Sequence, residues 1–175
     1  AEVYSLPPGV LDWENIEEGF VTGLEQIGPI RFFSVEGVGR IFLHNLRVIA
    51  LASLLGIFSF GVLGVLILSL PFALIGYFSA VAAQTGFSPG YFLLGFILPH
   101  GIVEIPAIIL TGAVIIRLGL VLVTPQEEYT IGEAWVRSLA EWARLMVFVV
   151  LPLFLLAAVL EIYLTPQAAL WIFQQ

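Results

Sequence analysis

The chain has 175 residues, 60% of them hydrophobic and 11% charged, with a mean hydropathy of +1.06 and a net charge of −7. Soluble domains carry roughly 45–50% apolar and about 25% charged residues, so this is the composition of an integral membrane protein, all-α and polytopic. An acidic chain with no Lys has no electrostatic footing for nucleic acid, and one with no Cys has neither disulfides nor thiolate metal sites.

Residues 1–40 hold most of the acid: Glu2, Asp12, Glu14, Glu17, Glu18, Glu25 and Glu36. Within them Trp13, Ile16, Phe20, Leu24 and Ile27 recur at three- and four-residue steps, the pattern of one apolar helical face. The reading is an acidic amphipathic, membrane-peripheral segment over 1–40, followed by a transmembrane domain over 41–175. Its acidic polar face favours packing on protein over binding to anionic lipid.

From Val48 to Ala83 no charged residue occurs. As one helix this run would extend about 54 Å, well beyond a hydrocarbon core of about 30 Å, so it must turn. Gly61, Gly64 and Ser69-Leu70-Pro71 are the available breakers and predict spans of about 43–63 and 67–84. The small residues on these spans suit close helix packing in lipid. A polar turn follows at 84–90, then a third span over about 91–118. Thr130 with Glu133 reads as a capping box, opening an amphipathic helix with Trp135, Leu139 and Trp142. This leads to a last span over about 145–164, closed by Thr165-Pro166, and to a short interfacial helix over 167–173 anchored by Trp171 and Phe173. The loop holding Arg117, Arg137 and Arg144 is assigned to the cytoplasm by the positive-inside rule, although Arg31, Arg40 and Arg47 then fall on the opposite side.

The third span carries Pro99-His100-Gly101-Ile102-Val103-Glu104-Ile105-Pro106. An ionisable residue at membrane depth is costly and marks either a site or a paired lock. His100 and Glu104 are four apart, on one helical face, and Pro106 predicts a broken helix beside them. As a lock, the imidazole would donate to the carboxylate or to a carbonyl freed by the prolines. As a functional site, the pair with Pro99, Gly101 and Pro106 would hold a proton or cation. Supporting polar candidates are His44, Asn45, Arg47, Thr111, Arg117 and Glu161. Arg40, His44 and Arg47 form one polar stripe at the entrance of the first span, read first as interfacial snorkelling, with pairing of Glu161 to Arg40, Arg47 or Arg117 as the sharper alternative. No metal, cofactor or catalytic residue is assigned. A catalytic zinc wants three protein ligands and an open position, and His44, Asn45 or Glu161 would complete a set only if the first and last spans pack against the third at matching depth.

Leu98-Pro99-His100-Gly101-Ile102-Val103-Glu104-Ile105-Pro106-Ala107, with Gly112 and Arg117-Leu118-Gly119, resembles the signature of the stage II sporulation protein M family of bacterial and archaeal membrane proteins. Phe42-Leu43-His44-Asn45-Leu46-Arg47 resembles the family's asparagine-bearing entry. Ala157-Ala158-Val159-Leu160-Glu161-Ile162-Tyr163-Leu164-Thr165-Pro166 resembles its final helix, so the likeness covers about residues 40–166. The resemblance implies about five spans, the first upstream of residue 1, and the founding member's role of anchoring cell-wall hydrolases during spore engulfment. Most relatives have no assigned activity, and fold-level likeness carries function poorly.

The expectation is therefore a multi-pass protein of the cell membrane, in contact with the lipid bilayer. It acts as a non-enzymatic scaffold or subunit that forms a homo-oligomer or joins other membrane protein subunits. A transporter or channel component with its pathway past His100 and Glu104 is the alternative, and an intramembrane hydrolase a third.

Overall fold

In the computed structural model, residues 32–124 and 128–173 are described, and all elements among them are helical. The expected amphipathic helix carrying Trp13 to Ile27 lies outside these residues. Four helices are long and apolar enough to cross a membrane: α1 (Val35–Phe58), α2 (Val62–Gln84), α3 (Pro89–Leu120) and α4 (Ile131–Tyr163). A short α5 (Thr165–Phe173) follows.

Each boundary has a local cause. Ser34, in extended conformation, accepts a hydrogen bond from the Gly37 amide at 3.0 Å and starts α1 at Val35, eight residues before the expected 43. The hydropathy of residues 35–42 hides this start; the serine cap sets it. α1 ends at Phe58 and not at 63, because Phe60 and Gly61 both take positive φ, at 54° and 95°. Ser59 serves both helices of this hairpin: its Oγ donates to the Leu55 carbonyl at 2.7 Å and accepts from the Leu63 amide at 2.9 Å. The expected capping box opens α4, with the Thr130 side chain accepting from Glu133 N and the Glu133 carboxylate accepting from Thr130 N.

α3 and α4 depart from regular α geometry in the same way. A π-helical turn at Leu93–Ile97 ends two residues before Pro99, and another at Met146–Val150 ends two residues before Pro152. A proline cannot donate to the carbonyl four residues back and its ring crowds that oxygen; here those carbonyls belong to Gly95 and Phe148, inside the widened turns. The break expected at Pro106 is thus displaced. α3 widens ahead of Pro99 and carries Pro106 within the α-helix Leu98–Leu120.

The helices alternate in direction, so the start of α1 meets the end of α4: the Phe33 ring contacts Tyr163 edge-on, and Val38 packs with Ala158 and Ile162. The main core lies between all four helices, with Ile49 and Ala52 of α1, Leu68 of α2, Ala107, Ile108 and Ile115 of α3, and Met146, Val150 and Phe154 of α4. Glycines set the closest approaches. A Cβ on Gly64 would lie 2.6 Å from the Ala52 carbonyl oxygen, and one on Gly119 would lie 2.5 Å from the Phe60 carbonyl carbon. α5 forms where expected but continues along α3, since a Cβ on Gly95 would strike Ile172 at 2.7 Å and approach Ala169 at 3.5 Å. Of the two expected anchors, Trp171 is 64% exposed, and the Phe173 side chain lies outside what is described.

Candidate functional site: a histidine and two glutamates between α3 and α4

His100 and Glu104 do face one side of α3, with Nε2 and Oε2 3.7 Å apart and side chains 13% and 19% exposed. That spacing exceeds hydrogen-bond range, so the imidazole is not donating to the carboxylate as a simple lock would require. Its hydrogen bond is with another element. His100 Nδ1 lies 3.2 Å from Thr165 Oγ1 at the start of α5, and the same hydroxyl donates to the Leu160 carbonyl at 3.4 Å. With the Thr165 proton assigned to the Leu160 carbonyl, the hydroxyl accepts from Nδ1–H, and in that tautomer the Nε2 lone pair turns towards Glu104.

The third member comes from α4. One ligand atom each from His100, Glu104 and Glu161 lie within 4.8 Å of one another, all three residues half-buried. The bundle thus places the last span against the third at matching depth, the condition set by the sequence for Glu161. His44, exposed on α1, is not brought to this group; Asn45 is half-buried on the same helix. His100 and Glu104 lie roughly 16–23 Å along a helix about 48 Å long, while Glu161 lies in the last turn of α4 and Thr165 opens α5.

Three of the arginines are engaged elsewhere. Arg40 pairs with Glu36 one turn back at 2.8 Å, Arg117 pairs with Glu141 at 2.7 Å, and Arg137 stacks over the Tyr129 ring at 3.9 Å. The expected pairing of Glu161 with Arg40, Arg47 or Arg117 is therefore corrected: nearer acids take Arg40 and Arg117, and Arg47 is exposed. Thr111 is buried but closes its own helix, its hydroxyl donating to the Ala107 carbonyl at 2.7 Å. Pro99 is half-buried and Gly101 buried, while Pro106 faces outward and lines an apolar groove of about 400 Å³ with Gly101 and Ile105.

Compared with known families, residues 19–166 match the stage II sporulation protein M family. The chain belongs to this family. The match begins at residue 19, ahead of Phe42 where the blocks that carried the resemblance begin, and so takes in part of the acidic segment. No curated protein and no solved structure matches the chain.

Family membership and the four apolar helices make this a multi-pass membrane protein in a lipid environment. The two resemblance blocks on α3 and on α4–α5 are also the ones that supply the cluster, His100 and Glu104 from the first, Glu161 and Thr165 from the second. Thr165 is the member that sequence reading missed. Its signal was the four-residue spacing from Glu161, the same as between His100 and Glu104, but a Thr before Pro reads first as a helix end.

Proposed function

We propose that the chain is a non-enzymatic scaffold or subunit at the cell membrane, holding another transmembrane helix, from a second copy or a different protein, against α2. The observation that supports this is the outer face of α2. Of α2 only Gly64, Leu68 and Ala82 are buried within the chain. Ser69, Ala73, Gly76, Ala80 and Ala83 are all exposed and recur at steps of four and three, forming one stripe. Small residues let helix backbones approach closely in lipid, where packing takes the place of the hydrophobic effect as the force between helices. A Cβ on Gly76 would meet nothing within 4 Å, so its smallness serves no contact inside this chain.

The test is affinity capture of tagged chain from native membranes. Wild type recovers a stoichiometric partner or a homo-oligomer. Gly76→Ile loses it, while the stability of the monomer changes by no more than about 0.5 kcal/mol, as at other surface positions. Recovery of monomer alone from wild type counts against the proposal.

The cluster favours a second reading, a transporter or channel component with a proton or cation pathway past His100 and Glu104. Three ionisable groups from two helices at span depth are the kind of arrangement that marks such pathways. Glu104→Gln then abolishes flux in liposomes with a stability change within about 1 kcal/mol, because no direct hydrogen bond to His100 is broken. Unchanged flux ends this reading.

A further inference from the structure

We infer that His100, Glu104 and Glu161 bind one divalent metal ion, with Thr165 as a positioning residue for the imidazole. Three observations converge on this site.

The first is the donor set. One imidazole nitrogen and two carboxylate oxygens lie within 4.8 Å of one another. Ligand atoms around a single ion at about 2.0–2.2 Å lie at most about 4 Å apart, so side-chain adjustments of about an ångström close the set. A mixed nitrogen and carboxylate set suits Zn²⁺ and Mn²⁺, with three protein ligands and a position left open.

The second is charge. Two carboxylates, Glu104 of α3 and Glu161 of the last turn of α4, face each other, and among the described residues the ion-paired arginines are taken by Glu36 and Glu141. Buried charge at membrane depth has to be compensated. A divalent cation with a neutral imidazole and two carboxylates makes the set neutral.

The third is the orientation of the histidine. Metal-binding imidazoles commonly donate their second N–H to an oxygen outside the ligand set, which fixes the tautomer. Thr165 Oγ1 stands in that place, and the Nε2 lone pair is left facing Glu104 Oε2 across 3.7 Å. Two acceptors held face to face at that distance leave room for a cation between them.

This goes beyond the α2 proposal, and the two fail separately: capture through the Gly76 face does not read metal, and metal content does not read the partner. The full chain, purified in detergent and treated with chelator, is equilibrated with Zn²⁺ alone and its metal measured. One Zn²⁺ per chain is expected, together with a rise in thermal midpoint that chelator reverses. Glu161→Gln loses the stoichiometric ion. Thr165→Val, which removes the orienting hydroxyl and its bond to Leu160 but none of the three ligands, lowers affinity roughly ten- to hundredfold, as for other outer partners of metal-bound histidines; it decides the matter if Glu161→Gln fails to fold. Wild type that holds no Zn²⁺ above the blank overturns the inference and leaves a proton shared between the carboxylates. Zn²⁺ that both variants retain at wild-type affinity also overturns it, since the ion then sits elsewhere.

Discussion

Gly119 and Gly76 are the same residue in two spans with opposite roles. Gly119 touches the backbone of the α1–α2 hairpin, where a Cβ would lie 2.5–2.7 Å from Phe60 and Gly61 main-chain atoms that cannot rotate away. Gly119→Ala should cost about 1–3 kcal/mol, the range for forcing extra volume into a packed site, read by thermal unfolding in detergent. A cost under about 0.5 kcal/mol would mean that the hairpin is not held against α3 as described. At this scale the sequence was partly legible. The His100–Glu104 pair follows from a spacing of four, and Glu161 was among the candidates. Its partner was not readable, because an interhelical contact depends on the relative depth of two spans, which no local pattern encodes. The arginines misled for the same reason: Arg40 has an acid one turn away, a local solution that removes it from the long-range choice.

At the scale of the element, four helices are long and apolar enough to span, the amphipathic helix expected before 145 being continuous with the last of them, and caps and prolines set their details. Ser34→Ala should lower stability by about 1 kcal/mol, the usual worth of an N-cap hydroxyl, and loosen the first turn of α1, seen as faster amide exchange at Gly37. Unchanged exchange would assign the helix start to packing on α4 alone. The two π turns were not legible. A proline in an apolar run announces only that a hydrogen bond is missing, and the chain can answer with a kink, a widened turn or a neighbouring hydroxyl. At Pro99 and Pro152 it widens the preceding turn, and at Pro71 and Pro106 the α-helix continues. Each π turn also adds a residue to its helix, so a helical wheel drawn through Ile97 or Val150 misplaces one half by about 100°.

At the scale of the whole molecule, the bundle closes by joining its first and last spans, with Val38 of α1 against Ala158 and Ile162 of α4. The polar cluster has the same long-range character. Glu161 follows Glu104 by 57 residues, which at a synthesis rate of about 5–20 residues per second is a delay of roughly 3–11 s. During biogenesis α3 therefore reaches the bilayer with its histidine and glutamate before the third member of the set exists. A span with a mean hydropathy of 2.0, apolar enough on paper to enter lipid by itself, is thus one that an insertion machinery has to shelter until α4 arrives. A chain stopped short of Glu161 presents two ionisable groups to lipid, a lesion that membrane quality control can recognise.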